Sequence, residues 1–209
     1  MKYVVLTALA TALSVAAVPA AATIQIFSAP GAIQPTENVL FQVSPPSGVT
    51  ALGVTNQTST GVTFTGNELL ATPSQGQARI EAADGGLNAL AFRLTNPALG
   101  FKEVEFNIFG TQATATSVLL KFTDQFGTIF SLTSAIGSGQ NFFSARALDS
   151  QFITNVSFTL NGNVADVRQF RIGGIAAVPE PEVWAMLILG FGMTGYAARR
   201  RRSTASVTA

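Results

Sequence analysis

Along residues 102–172 apolar and polar residues alternate with a period of two. Val104, Phe106 and Ile108 share one face of a predicted strand, and Glu103, Glu105 and Asn107 share the other. Val118, Leu120 and Phe122 alternate with Leu119, Lys121 and Thr123. Asp124-Gln125-Phe126-Gly127 then reads as a turn, because Gly supplies a positive φ, and 128–133 returns as the partner strand of a hairpin. In 151–160, Phe152, Thr154, Val156, Phe158 and Leu160 face together. Asn161-Gly162 supplies a tight-turn pair, and 166–172 follows as the next strand. Shorter strands are predicted at 24–27, 39–43, 61–65, 78–81 and 89–94, with loops at Pro45-Pro46-Ser47-Gly48 and Asp84-Gly85-Gly86. Many short strands separated by Gly, Asn and Pro turns predict an all-β body, an antiparallel β-sandwich of jelly-roll type.

The two ends break this pattern. Met1-Lys2 is a short positive stretch, 4–18 is an apolar run of Val, Leu and Ala, and Pro19 ends any helix. The small residues Ala20, Ala21 and Ala22 follow, so 1–22 is a predicted signal helix that signal peptidase removes after Ala22, with Ala20 as the alternative. At the other end Pro179-Glu180-Pro181 enforces extended backbone before an uncharged stretch, VWAMLILGFGMTGYAA, at 183–198. Trp184 and Tyr196 suit the two interfaces of a bilayer, and Arg199, Arg200, Arg201 and Arg202 act as a stop that stays cytoplasmic. The sixteen residues make about 24 Å of helix, slightly short of the hydrocarbon core of a bilayer. A transmembrane helix is nevertheless predicted at 183–198, with the body outside and the tail 203–209 inside.

The segment PEPEVWAMLILGFGMTGYAARRRR, from Pro179 to Arg202, resembles the PEP-CTERM sorting signal in its PEPxxWA variant. The Pro-Glu-Pro triplet, the spacing to Trp184-Ala185, the Gly-Phe-Gly stretch and the arginine cluster carry the resemblance. It implies recognition by an exosortase, a membrane cysteine protease-transpeptidase, in a Gram-negative bacterium that makes exopolysaccharide, often with biofilm formation. It implies processing near Pro179-Glu180-Pro181 after a transient stay in the inner membrane, and a final place at the cell surface or outside it. The polar tail 203–209 departs from the usual pattern, in which the signal stops soon after the arginines. The body also resembles the uncharacterised sandwich domains that precede such signals, in GQARIEAADGGLNAL and NVADVRQFRIGGIAAVPEP, and this brings no assigned activity. The expected order is therefore a signal peptide at 1–22, a body at 23–172, a flexible linker at 173–178, a sorting segment at 179–202 and a tail at 203–209.

Composition narrows the chemistry. The 209 residues contain no Cys and no His, which excludes disulfide stapling, Ser-His-Asp and Cys-His catalysis, and His-zinc sites. The formal charge of +1 misleads, because Lys2 and the four arginines at 199–202 belong to the ends. Between 23 and 178 seven basic residues face nine acidic ones, and the basic ones are scattered, so nucleic acid is not an expected partner. That stretch also lacks Trp and Tyr, the preferred sugar-stacking rings, and Phe106, Phe122, Phe130, Phe158 and Phe170 read as core. Phe142-Phe143 reads as an exposed contact patch.

Three acidic features remain. Glu103 and Glu105, at i and i+2, share a strand face, as a glycosidase pair or metal site would require, although such a pair usually flanks a bond from different strands; the bland reading is a solvated face. Asp84, beside Glu81 and Asn88, and with less support Asp124, are loop positions suited to calcium; the bland reading is an Asp-Gly turn. Asn56-Gln57-Thr58 and Asn155-Val156-Ser157 match a glycosylation sequon by chance. The sequence leads to a non-enzymatic surface or matrix protein with no cofactor, associated with exopolysaccharide. The competing expectations are a secreted carbohydrate-active enzyme using Glu103 or Glu105, and a calcium-stabilised adhesin.

Overall fold

The computed structural model describes residues 23–41, 48–72, 76–77, 79–110, 114–178 and 181–204. The expected signal peptide with Ala20 and Ala22, the residues Pro179 and Glu180, and most of the tail lie outside the described residues. In chain order the strands are β1 (Ile24–Phe27), β2 (Glu37–Phe41), β3 (Thr50–Thr55), β4 (Gly61–Gly66), β5 (Leu70–Ala71), β6 (Gly76–Gln77), β7 (Arg79–Ala82) and β8 (Leu87–Leu94). They continue as β9 (Leu99–Gly100), β10 (Glu103–Phe109), β11 (Ser117–Asp124), β12 (Ile129–Ala135), β13 (Gln140–Ala147), β14 (Ile153–Val164), β15 (Asp166–Gly173) and β16 (Ala176–Ala177). A single helix, α1 (Pro181–Thr204), follows.

The pairing is antiparallel throughout, in one large, nearly closed sheet with the order β1-β13-β10-β15-β2-β3-β4-β8-β14-β11-β12. The sheet folds over at β2. Glu37 and Asn38 pair with Ile172 and Arg171 of β15, whereas Val39 and Leu40 pair with Thr55 and Val54 of β3. The two halves then bury their apolar faces against each other. Phe64, Phe92 and Phe158 come from β4, β8 and β14, and Phe106, Phe143 and Phe170 come from β10, β13 and β15. Their rings meet across the layer, with centroids 5.6 Å apart for Phe92–Phe106, 4.8 Å for Phe64–Phe170 and 5.9 Å for Phe106–Phe158. Phe suits this place because its ring brings large apolar area and no polar atom to satisfy. The core reading holds for Phe106, Phe122, Phe158 and Phe170, which are buried, and Phe130 is partly buried against them. Phe143 belongs here too, at 2% exposure, so it is no surface patch, and only its neighbour Phe142 faces outward.

The predicted hairpin at 117–133 is β11 and β12, paired from Ser117–Ala135 to Thr123–Ile129. The predicted turn at Asn161-Gly162 does not form. β14 continues through it to Val164, with its register against β8 shifted between Thr159 and Val164, and the chain bends at Ala165 to enter β15, which pairs with different strands. The tertiary surroundings decide this. The Asn161 carboxamide oxygen accepts the N–H groups of Thr116 and Ser117 at 2.9 and 3.0 Å, which ties it to the start of β11. Gly162 lets residues 114–115 pass close by, and a Cβ there would lie 2.8 Å from backbone atoms of Thr114 and Ala115. Gly162→Ala is accordingly expected to cost on the order of 1–3 kcal/mol, read as a lower urea midpoint; an unchanged midpoint would show that the 114–115 segment yields freely.

The linker also differs from expectation. Ala176 and Ala177 form β16 against Gly100 and Leu99, and the Val178 N–H bonds the Ala98 carbonyl at 2.9 Å. Residues up to 178 are thus pinned to the body by backbone hydrogen bonds. Small alanines with their own backbone groups free to pair explain why a linker-like composition forms a bridge.

At the fold-over, Glu37 is buried and stitches the turn after β3. Its Oε2 accepts the Thr58 N–H at 3.0 Å and the Thr58 hydroxyl at 2.8 Å. Burial pushes the carboxyl pKa upward, and the hydrogen bonds from Thr58, Thr55 and Gln57 outweigh it, so the pKa lies below the usual glutamate range. A folded-state pKa below the unfolded one stabilises the fold above the unfolded pKa, and that share is lost as pH falls through the folded pKa. The stability gap between the native chain and Glu37→Gln should be present at neutral pH and close on acidification below the usual glutamate range. Melting curves across pH check this, and a gap constant down to pH values well below that range would contradict it.

Candidate functional site

The outward face of β1, β13, β10, β15 and the adjoining β7 concentrates the charge of the body. Arg79, Arg146, Arg168 and Arg171 stand there with Glu81, Glu103, Glu105 and Asp166. Period-two alternation puts them there, since Val104, Phe106, Ile108, Phe170 and Ile172 on the same strands point inward. Pairing aligns Phe27, Ser144, Glu105, Arg171 and Asn38 in one row across β1, β13, β10, β15 and β2.

The structure separates the two carboxylates read as a pair. Glu103 binds Arg146, with Oε1 2.8 Å from Nε, at a half-exposed position. Glu105 is only 4% exposed, contrary to a solvated face. Its Oε2 accepts the Gly31 N–H at 3.2 Å from the 28–36 segment that crosses above it, and its Oε1 lies 3.8 Å from Arg171 Nη1, beyond hydrogen-bond range. Glu105, Phe142, Gln169, Arg171, Pro30, Gly31 and Gln34 surround a hollow of about 190 Å³.

A bulge shapes one wall. Between Glu105 and Asn107 the partner residue on β15 changes from Arg171 to Arg168, so β15 carries one extra residue. Gln169 takes a φ of 57° there, a left-handed conformation that is uncommon for a side-chain-bearing residue. Both Val167 and Phe170 stay buried, and the side chains of Arg168 and Gln169 are left outside. The Gln169 Oε1 accepts from Asn107 Nδ2 at 2.9 Å, and Asn107 Oδ1 accepts the Asn141 N–H at 2.9 Å. Next to this, Asp166 is fully buried and bonds Arg168 and Arg79 together, with oxygens 2.5 and 3.2 Å from their nitrogens. The Arg168 guanidinium lies over the Phe109 ring at 3.7 Å. These arginines and Ser144 were invisible to pattern reading, because adjacent Phe142 and Phe143 break the alternation of β13 and the bulge breaks that of β15. The signal available beforehand was the i, i+2 spacing of Glu103 and Glu105.

The two acidic loop residues are engaged in turns. Asp84 Oδ1 accepts the Gly86 N–H at 3.0 Å, an ordinary Asp-Gly turn with Gly85 at a φ of 89°. Asp124 is buried, and its Oδ1 accepts the N–H groups of Phe126 and Thr128, both at 2.8 Å. Among the described residues no three His, Cys, Asp or Glu side chains cluster as a metal site.

The C-terminal helix α1 spans Pro181–Thr204 and so includes Trp184, Ala185 and the arginines 199–202. Proline suits its first position, having no N–H to leave unpaired. Residues 186–199 are exposed, and their apolar side chains do not pack on the body. The Thr194 hydroxyl bonds back to the carbonyls of Gly190 and Phe191 at 3.1 and 3.0 Å, which satisfies it within the helix. Among the described residues no helix is long and apolar enough to cross a membrane. The transmembrane expectation for 183–198 is corrected to that extent. The reason is length: sixteen uncharged residues give about 24 Å against about 30 Å of hydrocarbon, with Glu182 before them and Arg199 after.

Residues 177–202 match the family model of the PEP-CTERM protein-sorting motif. The chain carries a PEP-CTERM sorting motif. The match covers the end of β16, Pro179-Glu180-Pro181 and α1 to the last arginine. The motif implies an exported protein that is targeted to an exosortase and held at the membrane by its C-terminus for a time. No curated protein sequence matches the chain. A solved structure described as a structural analysis of an exo-beta-agarase shares 12% identity, covering 70% of this chain and 24% of that one, with a TM-score of 0.35. A likeness at that level carries no argument.

Proposed function

We propose that the chain is a surface or extracellular-matrix protein, a β-sandwich delivered by exosortase processing and associated with exopolysaccharide. The observation that carries this reading is the PEP-CTERM motif at 177–202, placed directly behind a body that is tied down to Val178. A short apolar helix with its side chains free of the body suits an anchor that is used once and removed. The backbone hydrogen bonds of the body run up to Val178, the residue before the Pro-Glu-Pro triplet.

The body acts without catalysis. Glu103 and Glu105 come from one strand and one face, so they do not flank a bond from opposite sides as a glycosidase pair does. Each already has a cation beside it, Arg146 and Arg171. The body needs no metal or cofactor.

Cell fractionation tests the destination. A tagged body is expected at the cell surface or in the extracellular polysaccharide fraction of a host with an exosortase. Recovery in the cytoplasm, or the periplasm alone, would sink the reading. A panel of glycosidase substrates is expected to show no turnover, and hydrolysis abolished by Glu105→Gln would replace the non-enzymatic body with an enzyme.

A further inference from the structure

We propose that the hollow beneath the 28–36 segment is a binding site for one neutral sugar unit, held through its hydroxyls between Glu105 and Arg171. This deepens the exopolysaccharide part of the reading above and rests on it only for the source of the sugar.

One polar atom of the lining lacks a partner, and a second lies beside the hollow in the same cross-strand row. Arg171 Nε is buried and makes no hydrogen bond, and neither does the hydroxyl of the fully buried Ser144. Both residues are the cross-strand neighbours of Glu105, one on each side. The Glu105 Oε1 itself stands 3.8 Å from Arg171 Nη1, a gap that leaves the ion pair without a direct hydrogen bond. A buried polar atom without a partner costs about 1–3 kcal/mol, and the one on Arg171, at the wall of the hollow, calls for an occupant.

The chemistry of the occupant follows from the walls. Carboxylate and guanidinium compensate each other, so the hollow has no net charge to attract an ion. A neutral group that donates to Glu105 and accepts from Arg171 satisfies both without bringing a charge out of water, and a hydroxyl does this. Neighbouring hydroxyls of one ring find Gln34 and Gln169, whose amides both donate and accept. Phe142 and Pro30 supply apolar surface for the C–H face of the ring. The hollow, about 190 Å³ and open to solvent on one side, is small and suits a single sugar ring rather than several. A polymer would enter by its end or by a side branch. The bulge at Gln169 fits such a site, since bulges re-aim side chains where the ladder must open.

The test is titration of the full-length chain in detergent with a panel of neutral hexoses, 6-deoxyhexoses and their methyl glycosides, followed by calorimetry or ligand-observed NMR. At least one is expected to bind in the millimolar range or tighter. Glu105→Gln should weaken it at least tenfold, and Glu103→Gln, which faces Arg146 instead, should leave it unchanged. If Glu105→Gln unfolds, Phe142→Ala serves in its place, with an expected loss of about tenfold and no change in melting curve. No binding by any sugar overturns the site, and so does binding unaffected by Glu105→Gln and Phe142→Ala. A free amino acid that binds better than every sugar also overturns it, by showing a zwitterion in the hollow. Surface delivery without sugar binding sinks this site alone, whereas sugar binding by a chain that never reaches the surface sinks the matrix reading alone.

Discussion

Replacing Pro179, Glu180 and Pro181 with alanines should leave the chain at full length in the inner membrane. The backbone argument is direct. Proline disfavours helix at the residue before it, so Pro181, the first residue of α1, opposes growth of the helix backward past it, and Pro179 does the same for Val178. Alanine has the highest helix propensity, so the triple substitution invites the helix to continue toward Val178. A protease needs extended backbone in its cleft, and a helix hides the peptide bond within its own ladder. The motif match begins at 177 and includes the triplet. Processing is expected to fall at least tenfold, seen on an immunoblot of the membrane and extracellular fractions. Mature body released at the native rate would show that the triplet is not what the enzyme reads.

Phe106→Ala should be the most damaging single change in the body. Phe106 is fully buried on β10, and its ring meets Phe92, Phe143, Phe158 and Phe170. It therefore joins both halves of the sheet at their centre. Removing a buried Phe ring costs about 3–5 kcal/mol, a transfer loss plus the cavity left behind. A domain of this size has about 5–15 kcal/mol in total, and without a disulfide nothing else staples it. The expected result is a melting temperature lower by roughly 5–15 °C, or loss of soluble body. Phe126→Ala, at the exposed tip of the hairpin, serves as the matched control and should change stability by less than about 0.5 kcal/mol. Equal losses for the two would mean that the aromatic layer is not the core.

The strands with clean alternation were legible in the chain. β10, β11 and the hairpin to β12 stand within a residue or two of their predicted bounds, because apolar and polar residues alternate along each of them, even though β10 is covered on both faces. β13 was not legible, since Phe142 lines an outer hollow while Phe143 fills the core. β3 was not legible either: its buried positions are Ala51, Gly53 and Thr55, while Leu52 between them points to solvent. Asn161-Gly162 carried a local hairpin signal that lost to long-range contacts with 114–117. The site was half legible. Glu105 stood out as a carboxylate on a strand face, but the 28–36 segment crosses over it, and its row-mate Arg171 comes from a strand distant in the chain and adjacent only in the sheet. The sorting segment is the opposite case. It is a linear signal, and everything needed to recognise it lies within 177–202.

The central claim is that an exosortase reads this C-terminus, and the intact mass of the delivered body tests it most directly. In cells with the exosortase the body should be recovered without the residues that follow the Pro-Glu-Pro triplet, α1 and its arginines included. In cells lacking only that enzyme the same chain should keep α1 and remain with the membrane. One full-length mass in both strains, or the same shortened mass in both, would contradict the account.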